Sequence, residues 1–311
     1  MNMNNEIAVG IVLYQPDMTR LKQCIVNLEK QVDKIYVFDN SEKKINLTDE
    51  QIVYMTEGEN RGISYALNRI IEKAQIDGFE WVVTMDQDSI IPDGMIDGFK
   101  KCITSHSGLG IICPQVIDKR RVYSVAEKNK EEVYIDFCIT SASCTSVEAW
   151  KKCGKFDEWL FIDLVDNEFC KRIRLSGYKI LRLNEWVLDQ EFGKIIPKSE
   201  RKQKFWLAVS KLLHNQNFAK FSYKKFVSPL RVYYTNRNII YANKKMKKYG
   251  RVGYENYNCK GYFGFIISFM IPSILRAQNK IAVIKATFDG IVDGAKSNPE
   301  QWTVKSGEKY A

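Results

Sequence analysis

Short apolar, β-rich runs at 7–13, 34–38, 51–55 and 81–85 alternate with stretches of helical spacing, and this alternation constrains the fold more than any other feature. The first run stops at Tyr14-Gln15-Pro16. Asp17 can then cap a helix in which Leu21, Cys24, Ile25 and Leu28 share one face. The stretch 62–74 repeats that spacing in Ile63, Ala66, Leu67, Ile70 and Ile71, and 93–103 predicts another helix before a buried strand at 109–113. Alternation of this kind builds a mainly parallel sheet with helices on both faces. Ligands of such sheets bind beyond the carboxyl ends of the strands. Polar groups collect at those ends here: Tyr14, Asp39, Asn60-Arg61-Gly62 and Asp86-Gln87-Asp88.

The second half is less regular. It predicts a strand at 132–139, a helix at 146–153 capped by Ser146, an acidic and aromatic stretch at 156–166, a helix ending at Gly177 and a strand at 178–183. Beyond about 195 the pattern turns helical, basic and aromatic. A chain of 311 residues has room for one large α/β domain and a smaller appendage. The expected division is 1–225 and a helical region at 226–311.

Composition removes several function classes. The eight cysteines include no CxxC pair, which argues against a structural zinc site, and two histidines leave little for a His-based metal centre or a Ser-His-Asp triad. Scattered thiols and the absence of a leader-like start lead us to expect a cytoplasmic protein with reduced cysteines. The net charge of +10 suits nucleic acid, anionic membrane or phosphorylated substrates. Much of it lies in 194–251, which reads either as a solvated surface or as a membrane-facing one.

Asp-x-Asp directly after an apolar strand has a chemical logic. Two carboxylates on an exposed turn can hold one hard divalent cation, which in turn bridges to a diphosphate. Asp is common in loops, so the same pair is more often an ordinary helix-capping or solvated loop pair, and the motif alone favours that reading. Its setting changes that weighting. The segments IYVFDNS, ENRGISYALNRII, WVVTMDQDS and FDEWLFIDLVDNEFCKRIRLSGYKI, in that order along nearly the whole chain, resemble the inverting family-2 glycosyltransferases, and among them the bacterial rhamnosyltransferases. A later R-x-Y-Y…R-N element appears as Arg231-Val232-Tyr233-Tyr234…Arg237-Asn238.

The resemblance implies a GT-A fold, a Rossmann-like α/β sheet, and a set of roles. Asp39 would accept a hydrogen bond from the donor's pyrimidine, with Tyr14 where the base can stack. Asn60, Arg61 and Gly62 would lie near the nucleoside and phosphates. Asp86 and Asp88 would hold Mg2+ or Mn2+, Asp88 directly, with Gln87 beside the donor. Asp166 would be the catalytic base, flanked by Asp163 and Glu168. Arg172, one turn after Glu168, can pair with it. Ser143 and Cys144 are candidates for the acceptor side, or plain strand residues. The family's H-x-x-G element stands here as Gln190-Glu191-Phe192-Gly193, so the third metal ligand is open, with Gln190 and Glu191 as the candidates.

The chemistry asks for a carboxylate to take the acceptor proton, a cation to offset charge on the leaving nucleoside diphosphate, and in-line positioning. The expected donor is a dTDP-sugar, L-rhamnose first, with a UDP-hexose as alternative; the acceptor would be a saccharide or a lipid-linked one. The apolar run 261–275 is shorter than a bilayer span and contains Pro272. It reads as an interfacial helix at an anionic inner membrane surface, or as packing or a homodimer contact. A non-enzymatic nucleic-acid protein would share the charge. The acidic strand ends argue against it, because they repel phosphate unless a metal intervenes.

Overall fold

The computed structural model describes residues 6–304 except 46, 48, 122, 123, 130, 191 and 192. The first half runs β1 (Ile7–Leu13), α1 (Met18–Glu29), β2 (Ile35–Asp39), β3 (Ile52–Thr56), α2 (Ile63–Ile76), β4 (Trp81–Asp86), α3 (Met95–Ser105) and β5 (Leu109–Ile117). Then come β6 (Glu132–Ile135), β7 (Ser143–Ser146), α4 (Val147–Lys152), α5 (Val165–Leu175) and β8 (Lys179–Asp189). The remainder is β9 (Ile195–Pro197), α6 (Glu200–Leu212), β10 (Tyr223–Lys225), α7 (Pro229–Lys245), α8 (Tyr262–Phe265), α9 (Ile271–Arg276) and α10 (Lys280–Lys296). A single wide turn at Ile266–Met270 joins α8 to α9 without a break in the helix.

Eight strands form one sheet in the order β3-β2-β1-β4-β7-β5-β8-β6. β3, β2, β1 and β4 are parallel, β7 runs against both β4 and β5, and β8 is parallel to β5. The expected mainly parallel sheet is present. Its central strands are buried on both faces. Ile7, Val9, Ile11 and Leu13 of β1 pack against Leu21, Cys24, Ile25 and Leu28 of α1, while Ala8 and Tyr36 face Ala66, Leu67, Ile70 and Ile71 of α2. Asp17 caps α1 as its sequence position suggested, its Oδ1 accepting from the N–H groups of Thr19 (2.8 Å) and Arg20 (3.2 Å). Ser146 caps α4.

β8 runs six residues further than the apolar pattern at 178–183 foretold, to Asp189. Its pairing with β5 jumps from Pro114↔Leu183 to Gln115↔Val187, so polar Asn184 and Glu185 fall in an irregularity that hides the strand from a hydrophobic reading. Buried Asn184 is satisfied there by Glu127 and Asn129. The extension carries the chain to Gln190 at the same edge where β1, β2 and β4 end.

The helices after position 225 pack directly on this core. α10 lies against α7 closely enough that a Cβ on Gly290 would come within 2.4 Å of the Tyr233 carbonyl, and one on Gly294 within 2.7 Å of the Arg237 carbonyl. Leu164, Ile239, Tyr254, Phe265 and Met270 form a small core that joins the site loop to this region. Among the described residues no helix is long and apolar enough to cross a membrane.

Candidate active site

A cleft of about 940 Å³ opens beyond the carboxyl ends of β1, β2, β4 and β8, closed on its far side by the 161–166 loop and by α7. Tyr14, Asn60, Gly62, Asp86, Gln87, Asp88, Asp163, Asp166 and Gln190 all line it, so most of the residues singled out from sequence converge.

Their roles divide once partners are counted. Tyr14 is half exposed at 49% and presents its ring. Gln87 uses its amide on Tyr14, accepting from the Tyr14 N–H (2.8 Å) and donating to its carbonyl (3.2 Å), and so ties two strand ends together. Asp39 is fully buried and does not line the cleft: its carboxylate accepts from the Tyr54 hydroxyl (2.6 Å) and the Ser41 N–H (2.8 Å). Its neighbour Asn40 is the β2-end group that faces the cleft. Arg61 points elsewhere, paired with Glu59 at 2.9 Å. Gly62, at φ 89°, is needed for a reason the sequence did not show: a Cβ would sit 2.8 Å from the Phe161 carbonyl. Ser143 is buried, donating to the Ile139 carbonyl (2.5 Å); Thr140 and Ser141 from the same segment reach the cleft instead. Cys144 is a buried strand residue. Glu191 lies outside the described residues.

Asp86 and Asp88 differ in setting. Asp88 is exposed, whereas Asp86 is mostly enclosed and accepts from Gln190 Nε2 at 2.5 Å. Burial, with the neighbouring Asp88 charge adding to it, pushes the Asp86 carboxyl up to about 6. Gln190 Oε1 is buried with no hydrogen-bond partner. Two carboxylates that repel one another beside an unpartnered amide oxygen fit a hard cation, which takes oxygen ligands and relieves both deficits. Among the described residues no group of three or more His, Cys, Asp and Glu side chains could do so. Any cation here therefore draws on the amide, on water or on a ligand phosphate.

Three acids stand near the start of α5, and the structure separates them. Asp163 is gripped by Arg231, which donates Nε to Oδ2 at 2.9 Å and its terminal nitrogen to Oδ1, and by Thr235 at 3.3 Å. Glu168 is fully buried and held by Arg172 (2.7 and 2.6 Å) and Lys245 (2.8 Å). Asp166 faces the cleft, and its carboxylate accepts from the Asn167 N–H at 2.9 Å. Burial pushes it up to about 7, against that N–H and with the Asp163 charge adding.

The loop presenting Asp166 is unusually well held. Asp163 and Leu164 are both left-handed, at φ 66° and 63°, a conformation that costs non-glycine residues energy and persists only where surroundings impose it. Five consecutive carbonyls are each engaged from outside: Trp159 by Arg237 (2.6 Å), Leu160 by Ser64 (2.7 Å), Phe161 by the Ile63 N–H (2.8 Å), and Ile162 and Asp163 by Asn238 (2.8 and 2.9 Å). The sequence alone gives the Arg231…Arg237-Asn238 element no role; its spacing along α7 places three donors over the loop. Asn238→Ala leaves two loop carbonyls without their donor and is expected to lower stability by about 1–3 kcal/mol, measured by urea unfolding. An unchanged midpoint would show that Asn238 is not what holds the loop.

Residues 9–142 match Glycosyl transferase family 2. The chain is 31% identical over 198 residues to the dTDP-rhamnosyl transferase RfbF of Shigella flexneri, an overlap covering 58% of this chain and 66% of that protein, just under two thirds of its length. Among solved structures it is similar to GalNAc-T7 with UDP, GalNAc and Mn2+, at a TM-score of 0.52 and 12% identity, covering 87% of this chain and 57% of that one. A mannosyltransferase from Pyrobaculum calidifontis in complex with GDP-Man and Mn2+ aligns at a TM-score of 0.49 and 15% identity, over 94% and 76% of the two chains. With its sheet topology and its likeness to the GalNAc-T7 structure, the chain has the GT-A fold, and its residues 9–142 are similar to glycosyl transferase family 2.

Proposed function

We propose that this protein is an inverting glycosyltransferase that moves L-rhamnose from dTDP-rhamnose to a saccharide or lipid-linked acceptor in cell-surface polysaccharide synthesis, at the inner face of the membrane. The observation that carries the reading is the sorting of the three acids: of these, only Asp166 combines access to the cleft, no ion pair among the described residues and a raised proton affinity. A base with a pKa near the working pH is the efficient choice for removing a hydroxyl proton. The likeness to a dTDP-rhamnosyl transferase supports the donor.

In this reading Tyr14 and the β2 end receive the pyrimidine, with Asp39 positioning Tyr54 behind Asn40. Asn60 and Gly62 border the nucleoside side. Asp88, Asp86 and the Gln190 oxygen would hold Mg2+ or Mn2+, which offsets the charge growing on the departing nucleoside diphosphate. Asp166 takes the proton from the acceptor hydroxyl as it attacks the sugar from the face opposite the leaving group. One displacement inverts the anomeric centre, and no covalent enzyme intermediate is needed.

The test is a donor screen that reads release of nucleoside diphosphate, joined to a titration of dTDP with and without Mg2+ or Mn2+ in wild type and Asp88→Ala. Wild type is expected to bind dTDP more tightly with metal, and Asp88→Ala to lose that gain. Equal affinity in all four conditions would rule out the metal role, and turnover of a UDP-hexose in preference to dTDP-rhamnose would overturn the donor.

A further inference from the structure

The helical run from Tyr262 to Arg276 has two different faces. Ser268, Phe269, Ser273 and Arg276 line the cleft. On the other side Phe263, Ile267, Ile271 and Leu275 stand exposed, at 75%, 53%, 46% and 65%. Steps of four residues drift by about 40° each around a regular α-helix and would scatter these side chains over a third of its circumference. The wide turn at Ile266–Met270 takes up part of that drift, so the four remain one stripe. After a three-residue link, α10 adds Ile281, Ile284 and Phe288, exposed at 82%, 49% and 70%, while its Val283, Ala286 and Gly290 face inward. Seven large exposed apolar side chains on two consecutive helices are more than a solitary soluble surface ordinarily carries.

Charge identifies the occupant. From 256 to 288 the chain contains no Asp or Glu, while exposed Lys260, Lys280 and Lys285 flank the apolar positions. Apolar residues set among cations and free of acids suit the boundary of an anionic bilayer, where the side chains enter the headgroup region and the cations meet lipid phosphates. A second copy of this chain, itself at +10, would bring like charge to the same surface.

We propose that Phe263, Ile267, Ile271 and Leu275, continued by Ile281, Ile284 and Phe288, dock the protein on an anionic membrane surface. Because the opposite side of the same helix lines the cleft, docking sets the cleft about one helix diameter, roughly 10 Å, above the lipid. An acceptor carried on a lipid headgroup then reaches Asp166 without leaving the bilayer. This last step rests on the proposed transferase reading; the docking itself does not.

The test is co-sedimentation of the full chain with vesicles of phosphatidylcholine alone and of phosphatidylcholine with about one third phosphatidylglycerol, at low and high salt. Wild type is expected to pellet with the anionic vesicles and to be partly released by salt. Ile271→Asp/Leu275→Asp, whose positions are exposed and do not line the cleft, is expected to bind at least about tenfold more weakly. Its release of nucleoside diphosphate in solution should match wild type, which separates a failure of docking from a failure of the transferase reading. Wild type left in the supernatant at low salt would overturn the proposal, and elution as a dimer in gel filtration would then assign the stripe to contact between copies. A double variant that pellets like wild type would overturn it equally.

Discussion

Asp166→Asn is expected to slow sugar transfer by about 10²–10⁴-fold while dTDP affinity stays close to wild type. The substitution keeps the size and most of the hydrogen bonding of the side chain but cannot take a proton. Its neighbours make poor alternatives for physical reasons: Asp163 would have to give up Arg231, and Glu168 would have to leave a site with no solvent exposure. Since burial raises Asp166 to about 7, wild-type transfer should climb as pH rises through that value and then level off, a limb that Asp166→Asn should lack. The same shift has a sign for stability. A carboxyl whose folded value lies above its unfolded one binds its proton more tightly when folded, so folding weakens as pH rises from about 4 to 7. Asp166→Asn should therefore be the more stable protein at pH 8, by a few degrees in Tm, and indistinguishable or weaker at pH 4. Single-turnover transfer near the wild-type rate would move the base to another residue. A variant no more stable than wild type at pH 8 would show that the carboxylate is not held at a cost.

Most of the parallel half of the sheet was legible because β1, β2 and β4 are buried on both faces and read as largely apolar runs, and their polar ends mark the cleft edge directly. The convergence of Tyr14, Asp86 and Asp88 followed from strand polarity, whereas Asp163 and Asp166 were marked only by the family resemblance. What sequence could not supply was pairing at long range. Nothing local distinguishes Asp163, Asp166 and Glu168; they differ only because Arg231, Arg172 and Lys245 arrive from elsewhere in the chain or from the next helical turn. The family resemblance put Asp39 and Gln87 at the donor; that each also hydrogen-bonds a neighbouring strand end is a long-range fact the sequence does not carry. Gly62 was read as allowing close backbone approach near the nucleoside and phosphates; its lack of a Cβ also makes room for Phe161, which no local pattern shows. Gln190 was visible as a departure from a histidine pattern, but its unpartnered oxygen beside Asp86 is a property of β8's irregular course.

Arg172→Met is expected to cost about 3–5 kcal/mol of folding stability, the usual penalty for removing one partner of a buried ion pair. Arg172 has no solvent exposure; it grips Glu168 through two nitrogens and donates a third bond to the Cys153 carbonyl at 2.5 Å. Burial alone would push the Glu168 carboxyl up, but Arg172 and Lys245 together outweigh it and hold the group below its ordinary value. Such a carboxylate stabilises the fold above its unfolded pKa and loses that contribution as pH falls through the folded one, so the penalty of Arg172→Met should shrink toward acid pH. Lys245 also bridges Glu168 to Asp157 at 2.6 Å, and Asp157 accepts from Tyr241 at 2.9 Å, so the network fastens α5 to α7. Asp166 sits in the first turn of α5 and Arg231, Asn238 and Lys245 all belong to α7; the buried ions and the loop donors thus fix the same two helices. Replacing both partners, as Glu168→Met/Arg172→Met, removes the stranded charge and leaves Lys245 to Asp157. That double variant is therefore expected to recover part of the single variant's loss in urea unfolding at pH 7. If it is instead less stable than Arg172→Met by the full cost of a second buried deletion, the two side chains act independently and the ion pair is not what joins the helices.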